Sequence, residues 1–160
     1  MIISFDLDGV LFVDPVKYEI EPPLRRPFDR FYPDRLRKGT VELIHRLQDE
    51  KFKVWVYTPN YYSQDNIRRL FRHYHVSFDK IINGYKHDKE VQRNRKQLLP
   101  SKLPNFYRIS LHIDDETVIC SSAGQYGFRA YQLYAQDDDW KEKIIARADQ
   151  IRKLEHFDEP

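Results

Sequence analysis

Cysteine occurs once in the 160 residues, at Cys120, so no disulfide can form within the chain. That excludes a disulfide-stapled scaffold and fits a reducing compartment. Glycine is scarce as well, at 5 residues, and with 41% hydrophobic and 32% charged residues the composition is globular rather than fibrous or disordered. No apolar run approaches the ~20 residues that a membrane helix requires. The apolar start, Met1 to Phe5, has no basic stretch ahead of it and runs straight into acids, unlike a secretory signal. The formal net charge is only +2, so bulk composition favours neither nucleic acid nor membrane, and only local clusters of charge can argue for either. These absences lead to the expectation of one cytoplasmic domain without a membrane partner. Its oligomeric state is not legible.

Short apolar runs alternate with helical patterns along the chain. Ile2-Ile3-Ser4-Phe5 is too short for a helix and ends at Asp6-Leu7-Asp8-Gly9, which predicts a buried strand closed by a turn. From Phe12 to Lys38 five prolines (Pro15, Pro22, Pro23, Pro27 and Pro33) break any periodicity. Proline has no N–H to give to a ladder, so this segment is expected to be an irregular excursion or a small flap. Val41, Leu43, Ile44 and Leu47 then recur at helical spacing. Val54 to Tyr57 reads as a second strand, stopping at Thr58-Pro59-Asn60, and Ser63 as the cap of a helix carrying Ile67, Leu70 and Phe71. Further strands are expected at Phe78–Ile82, Arg108–Ile113 and Arg129–Tyr134. The polar stretch 86–99 is expected to be partly helical, a short helix to end near Tyr126, and a last helix to run from Trp140.

Alternation of this kind implies an α/β protein, a three-layer Rossmann-like fold with a mainly parallel five-stranded sheet. Ligands in such folds bind beyond the carboxyl ends of the strands. Three expected strands end there in polar groups: Asp6 with Asp8, Thr58 with Asn60, and Asp114 with Asp115. Carboxylates crowded at one edge repel by about 4 kcal/mol per pair at ~4 Å, even at an effective dielectric near 20. A cation relieves that repulsion, and an all-oxygen donor set favours a hard one such as Mg²⁺. A hydroxyl at Thr58 and a nearby ammonium would complete a site for phosphate, and neutralisation of this kind lets a carboxylate attack a phosphate dianion.

Asp6-Leu7-Asp8-Gly9-Val10-Leu11, with Thr58 after the second strand and Asp114-Asp115 after the next-to-last, resembles the motif series of the haloacid dehalogenase-like phosphatases. The motifs span most of the chain in the family's order. The resemblance implies Asp6 as a nucleophile that becomes an aspartyl-phosphate, and Asp8 as general acid and then general base. It implies Mg²⁺ held by the Asp6 carboxylate, the Asp8 backbone carbonyl and Asp114, with Asp115 acting through water or as an orienting group. Thr58 would hydrogen-bond the transferring phosphoryl group, with a lysine neutralising it. Lys102 is the expected lysine, because it stands just ahead of the Asp114 strand as in some capless members; Lys86 is the runner-up, ahead of Lys89 and Lys96. Pro59 departs from the pattern by removing a main-chain donor often used for phosphate; Asn60 is the candidate substitute, through its own N–H or side chain, while Pro59 as a harmless first residue of the next helix is the favoured reading.

The implied activity is Mg²⁺-dependent hydrolysis of a small phosphomonoester. A nucleotidase or polynucleotide end phosphatase is the enzymatic alternative, drawn from the arginines and tyrosines, and leaves nucleic acid open as a partner. A non-catalytic binding module of the same fold is the rival from another class. Ordinary structural roles are assigned to the remaining polar features. Asp137-Asp138-Asp139 is expected to cap the last helix, His112 to be a hydrogen-bonded structural histidine, and Cys120 to fill core. Arg25, Arg26, Arg30, Arg35, Arg37 and Lys38 are read first as solvated surface, and second as an overhang attracting anions. Tyr61 and Tyr62 are expected either to stack on a base or to pack on the following helix.

Overall fold

The computed structural model describes residues 1–157. Five strands, β1 (Ile2–Phe5), β2 (Lys53–Tyr57), β3 (Lys80–Ile82), β4 (Leu111–Asp114) and β5 (Ala130–Gln132), form one sheet in the order β3-β2-β1-β4-β5. Every pairing is parallel. The helices are α1 (Phe28–Phe31), α2 (Thr40–Asp49), α3 (Gln64–His73), α4 (Gly84–His87), α5 (Thr117–Tyr126) and α6 (Trp140–Phe157). No helix among the described residues is long and apolar enough to cross a membrane.

The period of two along each strand divides the core between two faces. Ile3, Phe5, Val54, Val56, Ile81, Leu111 and Ile113 pack with the apolar stripes of α2, α3 and α6 in the main cluster. Ile2, Trp55, Tyr57 and Ile82 point the other way, with Ile109 and Tyr107, while α5 packs Ile119 and Ala123 near Ala130. Helices thus cover both faces, as parallel strands require.

Three strands are shorter than their apolar patterns predict, two of them for a clear local reason. The Asp79 carboxylate accepts from Val54 N–H at 2.8 Å in place of a backbone carbonyl, so the β3 ladder begins at Lys80. Arg108 sits at φ +55° closing a 3₁₀ turn at Pro104–Tyr107, which delays β4 to Leu111. The last strand is confined to Ala130–Gln132. In the polar stretch α4 lasts one turn and widens at Asp88–Gln92, where Arg93 N–H bonds Asp88 O at 2.7 Å.

The excursion after β1 is tied at its two ends. Val13 N–H bonds Arg35 O at 2.9 Å and Arg37 N–H bonds Leu11 O at 2.8 Å. Glu21 completes the tie by accepting from Gly39 and Val41 N–H at 3.0 and 3.1 Å. It thereby satisfies donors at the start of α2, where Gly39 has no side chain to do so.

Candidate active site

The chain leaves β1 for β2 and β3 on one side, then crosses to β4 and β5 on the other. Between β1 and β4, successive connections therefore depart in opposite directions and leave a crevice at the strands' carboxyl ends. Asp6 follows β1 and Asp114 ends β4, so the two carboxylates straddle that crevice.

Between them lies Lys102, wholly buried, with Nζ donating to Asp6 Oδ2 at 2.7 Å and to Asp114 Oδ2 at 2.5 Å. Lys86 instead pairs with Glu90 at 2.9 Å, while Lys89 and Lys96 are exposed. Lys102 reaches the crevice because Leu103 N–H donates to Tyr57 Oη at 2.9 Å, fixing the backbone beside the lysine to the end of β2. The Tyr57 hydroxyl in turn meets His87 Nδ1 at 2.6 Å. With its oxygen accepting from Leu103, that hydroxyl gives its proton to an unprotonated His87 nitrogen.

Electrostatics separates the two carboxyls. Burial pushes the Asp6 carboxyl up to about 7; Lys102 opposes the rise and Asp114 adds to it. Burial also disfavours charge on Asp114, but His112 and Lys102 outweigh it and hold that carboxyl down at about 2. Burial works against the Lys102 ammonium too, and the attraction of Asp6 and Asp114 outweighs it, raising the lysine. His112 occupies the adjoining inward position of β4, with Nε2 at 2.9 Å from Asp114 Oδ2 and Nδ1 at 2.7 Å from Ser4 Oγ. It is buried and hydrogen-bonded, as expected, and the bond to Asp114 also brings it to the site.

Asp6, Asp114 and Asp115 each offer an oxygen, and these three oxygens lie within 4.8 Å of one another. A compact set of hard anionic oxygen donors of this kind is compatible with Mg²⁺. Gly9 permits this arrangement. It sits at φ +77°, and a Cβ there would lie 2.2 Å from Asp115 Oδ2, so any side chain would push Asp115 out of place. The Asp8 carboxylate stands apart from the trio and accepts from Asn60 Nδ2 and, at 2.9 Å, from Tyr62 Oη.

Thr58 is buried at the end of β2, its N–H bonded to Ile82 O at 2.9 Å and its Oγ1 accepting from Asn60 N–H at 3.2 Å. Both the main-chain and the side-chain donor of Asn60 are therefore engaged, one by Thr58 and one by Asp8. Asn60 Nδ2 has a second hydrogen beyond the one given to Asp8, and that hydrogen is the donor left to Asn60 for a phosphate oxygen.

Two residues at the site have roles that the sequence does not announce. Tyr62 packs against the main core cluster, one of its two expected roles, and its hydroxyl in addition holds Asp8. Arg37 reads as one of several solvated arginines, yet it is buried, with Nε donating to Val10 O and Nη2 to Gly9 O, each at 2.9 Å. It braces the turn that follows Asp8, and its guanidinium lies over the rings of Tyr18 and Trp140. Asp137 departs from the capping role as well, since its carboxylate accepts from Tyr131 Oη at 3.3 Å and pairs with Lys143. Cys120 is half-buried, and burial pushes its thiol up to about 12, so it stays protonated and inert.

No protein-family model and no curated protein sequence matches the chain. Solved structures do. A haloacid dehalogenase (HAD) superfamily hydrolase of subfamily IA from Geobacter sulfurreducens superposes with TM-score 0.53 at 17% identity, over 82% of this chain and 88% of that one. The D,D-heptose 1,7-bisphosphate phosphatase of B. bronchiseptica, solved with magnesium and phosphate, gives 0.51 at 16% identity, over 82% and 79%. A chain of the Pnkp1/Rnl/Hen1 complex gives 0.53 at 15% identity, over 81% of this chain and 44% of its own length. These likenesses define the fold: the chain has the HAD-like, Rossmann-like α/β fold.

Proposed function

We propose that the protein is a Mg²⁺-dependent phosphomonoester hydrolase working through an aspartyl-phosphate on Asp6. The observation that carries this reading is the buried Lys102 ammonium bridging Asp6 and Asp114 at the mouth of the sheet, with Asp8 two residues beyond Asp6. A buried cation there favours the ionised nucleophile against the burial that raises its pKa and meets the incoming phosphate, a combination that a structural salt bridge has no need to place at strand ends.

An Asp6 oxygen attacks phosphorus as the ester bond breaks, and the leaving oxygen takes a proton from Asp8. Asp8 then removes a proton from water, which attacks the same phosphorus, releasing phosphate and regenerating the Asp6 carboxylate. Asn60 and Tyr62 aim Asp8 for both transfers. Thr58 Oγ1 accepts from Asn60 and keeps its own proton for a phosphoryl oxygen. The residues that would hold Mg²⁺ are Asp6, Asp114 and the backbone carbonyl of Asp8, with Asp115 acting directly or through water. Bound there, the ion would offset the charge of both nucleophile and phosphate.

Hydrolysis of p-nitrophenyl phosphate tests the reading. Turnover should require Mg²⁺, vanish on chelation and return when the ion is restored. Turnover that survives thorough chelation contradicts the metal-dependent reading. Absence of turnover on a broad panel of phosphomonoesters favours a non-catalytic binding module.

A further inference from the structure

Beyond β3 the surface changes character. Residues 84–99 contain Lys86, Lys89, Arg93, Arg95 and Lys96 against Asp88 and Glu90. This short stretch therefore has a larger net positive charge than the +2 of the whole chain. Lys86 is consumed by Glu90. Lys89, Arg93, Arg95 and Lys96 are exposed, and none is paired with a carboxylate among the described residues.

Two exposed tyrosines stand here, and one of them, Tyr85, shares a depression with Lys89 and Arg93. Tyr61 is 55% and Tyr85 64% exposed, and their rings meet edge to face with centroids 4.7 Å apart. Tyr61 Oη donates to Asp88 at 2.6 Å, which fixes its ring and occupies one of the two carboxylates. Tyr85, Asp88, Lys89, Arg93 and Asn94 line an open depression of about 530 Å³.

The tyrosine pair is fastened to the active-site loop. Gly84 N–H bonds Asn60 O at 2.8 Å, and Asn83 Nδ2 bonds Tyr62 O at 2.7 Å. The approach is so close that a Cβ on Gly84 would lie 2.6 Å from Pro59 O and 3.0 Å from the Tyr61 ring. Tyr61 thus sits between Asn60 and Tyr62, the two residues that hold Asp8.

Exposed aromatic rings next to unpaired cations match the chemistry of a single-stranded nucleic acid, whose bases stack on rings while its phosphates meet ammonium and guanidinium groups. We infer that Tyr61, Tyr85 and the cations from Lys89 to Lys96 form a platform for a single-stranded polynucleotide whose phosphorylated end enters the Asp6 site. This inference rests on the phosphatase reading for the fate of that end, but not for binding itself.

Fluorescence anisotropy on the full chain carrying Asp6→Asn, with a labelled single-stranded oligonucleotide ending in a phosphate, separates the two. Tyr85→Ala should weaken binding about tenfold, the scale of removing one base–aromatic stack, while Tyr85→Phe retains it. Arg93→Ala should flatten the dependence of log affinity on log salt by about 0.7 for each phosphate no longer neutralised. The inference is overturned if Tyr85→Ala binds as tightly as the parent, if Arg93→Ala leaves the salt slope unchanged, or if inorganic polyphosphate competes equally well per phosphate. Binding that follows these expectations in a chain inactive on every phosphomonoester would sink the phosphatase reading and leave the platform standing.

Discussion

Lys102 is one of very few lysines a protein can afford to bury completely, and it keeps its charge because two carboxylates lie within hydrogen-bonding distance. Removing its ammonium leaves Asp6 and Asp114 facing each other uncompensated. Lys102→Ala should lower kcat/KM for an aryl phosphate by about a hundredfold or more, the scale of deleting a charged group that stabilises the transition state. Lys86→Ala, which breaks only the pair with Glu90, should stay near wild type. The reverse ranking in steady-state kinetics would move the phosphate-neutralising role to Lys86. The acidic and hydroxyl residues of the site were legible because each follows an apolar run that announces a strand end. Arg37 and Tyr62 were not. A tyrosine two residues past a strand loop looks the same whether its hydroxyl holds a carboxylate or meets solvent. In one dimension Arg37 is indistinguishable from Arg35 and Arg30, and its burial depends on pairing between distant parts of the excursion, Phe12 with Leu36 and Ile20 with Arg37.

At the scale of elements, the weight falls on the segment from β3 through α4. Gly84 lets it lie against Pro59, so Gly84→Ala must push the two loops apart by a few tenths of an ångström or more. The expected result is a loss of activity larger than the loss of thermal stability, because the displaced loop carries Asn60 and Tyr62. A matched loss of both would reduce Gly84 to a packing residue. Nothing in a lone glycine before a polar stretch reveals such a close approach, so its role is visible only in three dimensions. Buried His87 in α4 adds a pH dependence. Burial lowers its pKa in the folded chain, while the neighbouring Asp88 opposes the shift. The unfolded state therefore binds the proton more readily. Stability from this group is complete above the ordinary histidine value of 6.5 and is lost as pH falls below it. His87→Asn, which retains an acceptor for Tyr57, should shrink the loss of melting temperature between pH 7 and 5. An undiminished loss over that range would assign the acid sensitivity elsewhere, first to His112, whose pKa burial also lowers.

For the whole molecule, the strand order decides which residues meet at the candidate site. Alternating patterns implied a parallel sheet, but no local pattern reveals that β4 pairs with β1 rather than β3, and that crossover is what brings Asp114 to Asp6. A cation that binds only this folded arrangement must stabilise it, by about 2.7 kcal/mol at a hundredfold excess over Kd. Mg²⁺ should therefore raise the melting temperature of the wild type. The rise should persist in Asp8→Asn, where the metal ligand proposed for Asp8 is its backbone carbonyl, and disappear in Asp114→Asn. Equal loss in both variants would show that the Asp8 carboxylate itself binds the ion. The most direct test of the mechanism is the fate of the phosphoryl group. Rapid quenching of Asp8→Asn during turnover of p-nitrophenyl phosphate with Mg²⁺, followed by peptide mass spectrometry, should find phosphate on Asp6 and on no other residue. Asp6→Asn should carry none and retain less than a tenth of wild-type kcat/KM. Phosphate on another side chain, or an Asp6→Asn enzyme within about tenfold of wild type, a difference of only ~1.4 kcal/mol in barrier, would contradict Asp6 as the nucleophile.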